Sequence, residues 1–239
     1  MMEALDTKSR IETVNWKAVR RNLNNTGYAI VKKILSKEDC DSLIEGYNDD
    51  TLYRKTISME RYQFGKGEYK YYDYPLPAII QRMRELVYPN IVPVANLWMK
   101  VLNRPVSFPE KHTDMLQACQ AADQHKPTPL ILNYSEGGFN TLHQDLYGDV
   151  FFPIQAVFFL SESGKDYQGG EFVMTEQRPR AQSKAIVLNP MQGDMLLFTT
   201  NFRPVKGTRG YYQVKMKHGV SEVKVGKRFT LGVIFHDAK

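Results

Sequence analysis

The second half of this chain is a series of short apolar runs, and that pattern constrains the fold more than any other feature. Gly, Pro, Asn or Asp separates most of the runs, as expected for strands joined by turns. Such strands predict a sandwich or barrel, and about eight of them fit a double-sheet jelly roll, or double-stranded β-helix. The runs are residues 130–132, 154–160, 171–175, 185–188, 195–199, 213–216 and 229–235.

The first part of the chain has a mixed pattern. Apolar positions at helical spacing predict a helix over residues 78–88, and a second helix is expected over 91–102 after Pro93. We therefore expect a mostly β protein with flanking helices, of the α+β class. In this interpretation residues 1–128 form a helical and strand extension packed on one sheet. Residues 129–239 form the double-stranded β-helix core, and the two parts make one structural domain.

The composition is typical of a globular protein, with 42% hydrophobic and 24% charged residues among 239. No stretch approaches the roughly 18 apolar residues that a membrane span requires, so we expect a cytoplasmic protein without a membrane partner. Cys40 and Cys119 stand far apart, which argues against a disulfide framework. The net charge of +6 favours an anionic partner, although the basic residues are dispersed among 26 acidic ones. The sequence leaves the oligomeric state open.

Two metal-binding residue types occur with a single residue between them, His143 and Asp145. In a strand, alternate side chains lie on the same face, so this pair is able to grip one ion. A non-haem Fe(II) oxygenase needs two imidazoles and one carboxylate on one side of an octahedron. His-x-Asp is a short motif, and a third ligand must therefore come from elsewhere in the chain.

The segment after residue 216 offers that ligand together with a cation. His218 is followed ten residues later by Arg228, and Thr230 stands two residues further on. A turn at residues 225–227 would fold this segment into two neighbouring strands and bring the guanidinium beside the metal. The planar fork of Arg suits the distal carboxylate of a dicarboxylic acid.

Two other kinds of site use similar ligands. A cupin-like jelly-roll module would bind a small anion or sugar without redox chemistry, and a zinc hydrolase also uses two His and one Asp. Neither requires a carboxylate clamp at the position of Arg228, so this residue favours the oxygenase interpretation.

In this order the residues resemble the 2-oxoglutarate/Fe(II) oxygenase superfamily, whose motif is His-x-Asp, a distal His, and then Arg or Lys followed by Ser or Thr. Tyr134 precedes His143 by nine residues. AlkB-type dioxygenases have a 2-oxoglutarate-binding Tyr at the same distance before their His-x-Asp motif. The resemblance implies Fe(II), 2-oxoglutarate and O₂ as cofactor and co-substrates, with ascorbate as an optional reductant. It further implies that the metal ligands are His143, Asp145 and His218, and that Arg228, Tyr134 and Thr230 bind the co-substrate.

The reaction implied is oxidative decarboxylation of 2-oxoglutarate to succinate, coupled to hydroxylation of a protein side chain, an amino acid or a small molecule. Segments 166–172 and 192–198 resemble prolyl-hydroxylase-type members and favour this class of substrate. The segments LHQDLYGD, GGEFVMTEQRPR and RPVKGTRGYY are similar to a bacterial oxygenase family named for oxidising damaged DNA. The alternative is therefore oxidative demethylation of alkylated DNA or RNA, although Leu132 stands where the AlkB group has an Asn.

Polar connections beside the expected cavity mouth are candidates for substrate binding, because loops on a rigid scaffold often carry such contacts. A solvated basic loop is the competing interpretation. The tyrosine-rich stretch of residues 69–74 would either stack bases or pack at a sheet edge. The predicted substrate contacts are Arg178, Arg203, Lys206, Arg209 and Tyr147.

Overall fold

Two facing β-sheets form the centre of the protein in a computed structural model that describes residues 6–145 and 148–239. Tyr147, one of the predicted substrate contacts, lies outside the described residues. The strands are β1 (Tyr28–Val31), β2 (Tyr53–Ser58), β3 (Gly65–Lys66), β4 (Glu68–Tyr72), β5 (Leu130–Tyr134), β6 (Phe139–His143), β7 (Ile154–Phe159), β8 (Tyr167–Gly169), β9 (Phe172–Gln177), β10 (Ser183–Leu188), β11 (Met195–Thr199), β12 (Phe202–Gly207), β13 (Gly210–Val220), β14 (Val223–Gly226) and β15 (Arg228–Val233).

The helices lie mostly in the first half of the chain. They are α1 (Thr7–Glu12), α2 (Trp16–Thr26), α3 (Lys37–Glu45), α4 (Ala78–Val101) and α5 (His112–Ala121), with short 3₁₀ helices at Gly46–Asn48, Asp50–Leu52 and Glu60–Tyr62. Within the described ranges, no helix has the length and apolar character needed to cross a membrane. The cytoplasmic location stays a prediction.

The larger sheet has seven strands in the order β1-β11-β7-β15-β5-β4-β2. The smaller sheet has the order β10-β9-β13-β6-β3, with β12 paired to β13, and β14 pairs with β8 beside it. The paired strands run antiparallel. This arrangement confirms the predicted mostly β fold with flanking helices and a double-stranded β-helix core.

The apolar side chains form two main layers. One lies between the outer face of the seven-stranded sheet and the helices, and α4 contributes most of its helical part. The other lies between the two sheets, where Phe159 and Phe198 of the larger sheet meet Phe172 and Met216 of the smaller one. The helices therefore cover one sheet, as expected, and leave the smaller sheet to form the other side of the cavity.

A single helix, α4, replaces the two helices expected over residues 78–88 and 91–102. It continues through Pro89 and Pro93, although each proline removes a helical hydrogen bond. The fully buried face that includes Val87 and Ile91 stabilises the continuous helix against the sheet.

The N-terminal part contributes strands as well as helices. β1, β2 and β4 belong to the same sheet as β5, β7, β11 and β15. Residues before 128 therefore share backbone hydrogen bonds with those after it. The division of the chain at residue 128 stays a prediction.

Candidate metal and co-substrate site

The two histidines of the predicted triad face each other across the smaller sheet. His143 of β6 is the register partner of His218 of β13, and their ring centroids are 4.2 Å apart. The His143 Nδ1–H donates to the carbonyl oxygen of Thr141 at 2.7 Å. This contact leaves Nε2 as the ring nitrogen available for a metal, which is the usual arrangement of a liganding histidine.

Asp145 follows β6 and completes the group. Its Oδ1 lies 3.5 Å from the His143 Nε2, and its Oδ2 lies 3.3 Å from the His218 Nε2. The three ligand atoms lie within 4.8 Å of one another, close enough to hold one metal ion. Gln155 of β7 donates from Nε2 to the Asp145 Oδ2 at 2.7 Å, so a residue of the opposite sheet fixes the carboxylate. The Gln155 Oε1 has no hydrogen-bond partner among the described residues.

The protonation of these groups follows from their mutual contacts. Burial would raise the pKa of the Asp145 carboxyl, but the charges and hydrogen bonds of His218 and His143 hold that pKa well below its usual range. Burial lowers the pKa of His218, and the neighbouring His143 lowers it further. These directions favour an ionised Asp145 and a neutral His218, which are the forms that bind a metal. Burial would lower the pKa of His143, but the hydrogen bond and charge of Asp145 raise it.

The predicted co-substrate residues lie on the other sheet. Arg228 of β15 is the register partner of Tyr134 of β5, and Thr230 follows on the same face. The expected hairpin of two neighbouring strands around residues 225–227 is wrong, because β14 pairs with β8. Arg228 instead lines the same cavity as His218 from the opposite sheet.

Arg228 is a buried cation that no carboxylate of the described residues contacts, although Glu171 is near enough to feel its charge. Arg228 is only 1% exposed, and none of its three guanidinium nitrogens has a hydrogen-bond partner among the described residues. The rings of Tyr134, Phe159 and Tyr167 lie 5.4–5.9 Å from its guanidinium carbon. Three aromatic faces partly stabilise the cation, but they leave its N–H groups free for an anion.

The neighbouring groups complete a binding place for a carboxylate. Burial raises the pKa of Tyr134 to about 12 although Arg228 opposes the shift, so the phenol stays neutral. The Asn140 Nδ2 donates to the Tyr134 Oη at 3.3 Å, which leaves the phenolic proton for another acceptor. Gly170, at φ +64°, lets the chain pass close to Arg228, since a Cβ there would lie 2.8 Å from the Arg228 Cδ.

The candidate metal ligands and the candidate co-substrate residues line one cavity between the sheets, with a volume of about 290 Å³. Tyr71, Leu130 and Ile234 also line it. Tyr69 and Tyr71 of β4 also face this cavity, and their ring centroids are 5.4 Å apart. The sequence analysis missed Gln155, Tyr69 and Tyr71 as site residues. The sequence contained a signal for Gln155, because it is the single polar residue in the apolar run 154–160.

Four of the predicted substrate contacts lie in the described residues, and none of these four lines this cavity: Arg178, Arg203, Lys206 and Arg209. Arg203 is only 6% exposed, and its Nε donates to the Glu176 Oε2 at 3.1 Å. Its prediction as a substrate contact is not supported, because the guanidinium is used within the protein. Arg178 also donates to Glu176, from an exposed position. Lys206 and Arg209 are exposed near the β12–β13 turn.

Fold and site together define the class: a double-stranded β-helix with a His-Asp-His group and a buried arginine in one cavity. Residues 67–238 match a family model named Oxygenase-NA, described as an oxygenase catalysing oxidative methylation of damaged DNA. The chain is also 43% identical over 164 residues to the uncharacterized proteins MT2286 and Rv2227 of Mycobacterium tuberculosis, a match that covers 69% of this chain and 70% of each relative. The chain belongs to the Oxygenase-NA family.

Solved structures share the fold at low sequence identity. A Pseudomonas putida prolyl-4-hydroxylase has a TM-score of 0.54 at 14% identity, over 91% of this chain and 96% of that one. A Trichoplax adhaerens prolyl hydroxylase, in complex with a hypoxia inducible factor peptide fragment, has a TM-score of 0.55 at 11% identity, over 94% and 89%. A Burkholderia pseudomallei oxidoreductase of the 2OG-Fe(II) oxygenase family has 0.52 at 12%, over 95% and 93%.

The family confirms the prediction of an oxygenase, and the solved structures confirm the predicted double-stranded β-helix fold. The His-Asp-His group could hold a metal ion, and the use of Fe(II) and 2-oxoglutarate stays a prediction. The role of ascorbate and the roles of individual residues stay predictions.

Proposed function

We propose that this protein is an Fe(II)- and 2-oxoglutarate-dependent hydroxylase that uses the cavity between its two sheets. His143, Asp145 and His218 hold the metal, and Arg228, Tyr134 and Thr230 hold the co-substrate. The observation that carries this proposal is the guanidinium of Arg228, which is buried in the cavity with three unpartnered nitrogens. A buried cation of this kind calls for an anionic partner, because leaving it unpaired is costly.

The donor set fits Fe(II). Two imidazoles and one carboxylate on one side of an ion leave the remaining positions open to co-substrate and oxygen. The backbone contact of His143 and the amide contact of Asp145 fix two of the three ligands. Such outer contacts set the orientation of metal ligands and raise their affinity.

The carboxylate-binding group fits a dicarboxylic acid. Arg228 supplies charge-assisted donors, and Tyr134 and Thr230 supply hydroxyls on the same face of the seven-stranded sheet. One carboxylate bound there leaves the other end of the molecule directed toward the ligands on the opposite sheet. A monocarboxylate would not join the two groups.

When bound, Fe(II) and 2-oxoglutarate supply oxygen activation coupled to decarboxylation, which yields succinate and CO₂. The protein's own contribution is to orient the metal and the co-substrate and to exclude water from the cavity. The apolar side chains of Leu130, Val157 and Phe198, which line the cavity, exclude water. The remaining end of the cavity receives the C–H group to be oxidised.

The class of reaction does not by itself determine the primary substrate. A protein side chain or small molecule, as favoured by the sequence, and a methyl group on DNA both require insertion of oxygen into a C–H bond. The family description names damaged DNA, and the solved Trichoplax adhaerens enzyme carries a peptide fragment.

The test is an oxygen-free titration of the purified protein with Fe(II) and 2-oxoglutarate. We expect a weak visible charge-transfer band that requires both additions, followed by succinate formation when oxygen is admitted. His143→Ala and Asp145→Ala should lose iron affinity, because each removes one of three protein ligands. Full iron affinity in either variant would show that the ligand assignment is wrong.

A further inference from the structure

The two histidines of the candidate metal group are oriented by different kinds of contact. The Nδ1–H of His143 donates to the carbonyl oxygen of Thr141 at 2.7 Å, within the same strand. His218 is only 6% exposed, yet its buried Nδ1 has no hydrogen-bond partner among the described residues. A liganding histidine usually donates from its second ring nitrogen. Some other contact must therefore hold the ring of His218 in place.

Two phenylalanine rings contact His218. The ring of Phe172 lies nearly parallel to it, with an interplanar angle of 11° and a centroid distance of 5.8 Å. The ring of Phe198 meets it edge to face, at 63° and 4.7 Å. The two phenylalanines also contact each other, with centroids 4.9 Å apart. These are the arrangements that aromatic rings prefer, so His218 belongs to a set of three rings in mutual contact.

The three rings come from both sheets. Phe172 of β9 is the register partner of Val220 of β13, two residues from His218, so it is a diagonal neighbour of His218 on the inward face. Phe198 lies on β11 of the larger sheet. Phe172 is 4% exposed and Phe198 is 1% exposed, and a side chain packed this closely turns only when its neighbours move. Contacts from two directions thus restrict rotation of the His218 ring.

Phe198 has a second relationship to the metal group. Its register partner on β7 is Gln155, whose Nε2 donates to the Asp145 Oδ2 at 2.7 Å. Two adjacent side chains of the larger sheet therefore contact two of the candidate ligands from across the cavity. Gln155 does so through a hydrogen bond, and Phe198 does so through ring contact. The relative placement of Asp145 and His218 depends in this way on one pair of residues in the opposite sheet.

We propose that Phe172 and Phe198 are positioning residues for His218, whose ring they orient by packing in place of a hydrogen bond. They supply no ligand atom and act through the histidine. The inference rests on the proposed function for the role of His218 as a metal ligand. The ring packing itself does not depend on that role.

The competing explanation is that the two phenylalanines serve only as core residues. In that case an aliphatic side chain in place of either ring would lower stability and leave the orientation of His218 unchanged. Orientation of the ring therefore has to be measured separately from stability.

The first measurement uses the metal-free protein with isotope-labelled histidine and follows the motion of each ring by NMR relaxation of its carbons. The His218 signals are identified by their loss in His218→Asn. In the unaltered protein we expect His218 to be as ordered as His143. In Phe172→Leu and in Phe198→Leu we expect the His218 ring to become more mobile, while His143 keeps its order because its hydrogen bond is intact.

Phe158→Leu is the matched control. Phe158 is fully buried, at 0% exposure, but it belongs to the apolar layer between the larger sheet and the helices. Loss of this ring should lower the free energy of unfolding, as loss of Phe172 or Phe198 should. It should leave both histidine rings ordered.

The second measurement is an oxygen-free titration of the same variants with Fe(II), without 2-oxoglutarate. Phe172→Leu and Phe198→Leu should each weaken Fe(II) binding about tenfold, the lower end of the range for losing a contact that orients a ligand. Phe158→Leu should bind Fe(II) as the unaltered protein does.

A His218 ring that is already mobile in the unaltered protein, or that stays ordered in both Phe172→Leu and Phe198→Leu, would overturn the proposal. Equal Fe(II) affinity in all three leucine variants would also overturn it. If the unaltered protein binds no Fe(II), the proposed function fails, and the metal-free relaxation still decides whether the two phenylalanines orient the ring.

Discussion

Arg228 and Tyr134 are directly opposed on adjacent antiparallel strands, with the guanidinium carbon 5.6 Å from the centre of the phenol ring. Both side chains therefore enter the cavity from one face of the seven-stranded sheet. Their backbone pairing fixes the spacing between a charged donor and a neutral one before any ligand binds. This preorganisation lowers the entropic cost of binding a carboxylate.

A first prediction concerns the cost of keeping Arg228 unpaired. Arg228→Met should abolish measurable 2-oxoglutarate binding, and it should raise the free energy of unfolding of the ligand-free protein by about 1–3 kcal/mol because an uncompensated buried charge is removed. In the unaltered protein, 2-oxoglutarate at a hundred times its Kd should add about 2.7 kcal/mol.

Chemical denaturation with and without 2-oxoglutarate measures both effects. Arg21→Met on the exposed side of α2 is the control for the substitution type. A ligand-free Arg228→Met protein that is much less stable would instead indicate that the guanidinium has a structural role.

A second prediction uses a matched pair of glycines. Gly170 and Gly164 both have positive φ, +64° and +85°, but a Cβ at 170 would lie 2.8 Å from the Arg228 Cδ while a Cβ at 164 meets nothing within 4 Å. Alanine at either position should cost about 1–2 kcal/mol of stability from backbone strain. Only Gly170→Ala should also weaken 2-oxoglutarate binding, because it displaces Arg228. Calorimetric titration distinguishes the two, and equal affinities would refute the positioning role of Gly170.

A third prediction distinguishes the residues proposed to bind iron from those proposed to bind 2-oxoglutarate. Gln155→Leu removes the donor to Asp145 and should weaken iron binding about 10- to 100-fold, as losses of such outer contacts do. Thr230→Val should weaken 2-oxoglutarate binding and leave iron affinity unchanged, because its hydroxyl lies on the co-substrate side. Equilibrium binding of each ligand to both variants tests this crossed pattern. Parallel losses in the two variants would mean that both substitutions merely disturb the fold.

A fourth prediction concerns acid stability and the buried His112. Burial and, to a smaller extent, the charge of Arg84 lower the pKa of His112 to about 3, and a contact with the Phe235 carbonyl opposes this shift. Between that value and the ordinary pKa near 6.5, the unfolded chain binds a proton that the folded protein does not. Stability should therefore fall as pH decreases below about 6.5, by about 2 kcal/mol between pH 7 and pH 5 from this group.

Urea unfolding at the two pH values measures that slope. His112→Asn should flatten it whatever its effect on absolute stability, whereas the exposed His125→Asn should leave it unchanged. An unaltered slope in His112→Asn would assign the acid sensitivity to other groups.

Spacing in the sequence singled out His143, Asp145, His218 and Arg228 as candidates, and the resemblance to a known superfamily added Tyr134; the structure places all five side chains around one cavity, and their roles stay predictions. It could not show how β13 and β15 are arranged, since pairing between strands is set by contacts distant in sequence. The predicted hairpin at residues 225–227 was wrong for this reason. The buried pair of Arg203 and Glu176 was missed on similar grounds, because β12 and β9 meet only through β13.

Alternation along a strand also leaves open which face is inward. In β4 the sequence places Tyr69 and Tyr71 on one side and Lys70 and Tyr72 on the other, and both sides carry aromatic rings. Only the neighbours of β4 in the sheet decide that Tyr69 and Tyr71 face the cavity. The continuous helix through Pro89 and Pro93 is a further case, where burial of one face outweighed two lost hydrogen bonds.

The proposed metal ligands lie in or directly after strands of the smaller sheet, and the proposed carboxylate-binding residues lie in the larger one. A bound iron–dicarboxylate unit would therefore act as a cross-link through the interior. Strand separation would then require release of both partners at once. Backbone amides of β6 and β15, which share no hydrogen bonds, would be expected to slow their exchange with solvent together when the cavity fills. The exchange rate of backbone amides in either sheet would therefore report whether the cavity between the sheets is occupied.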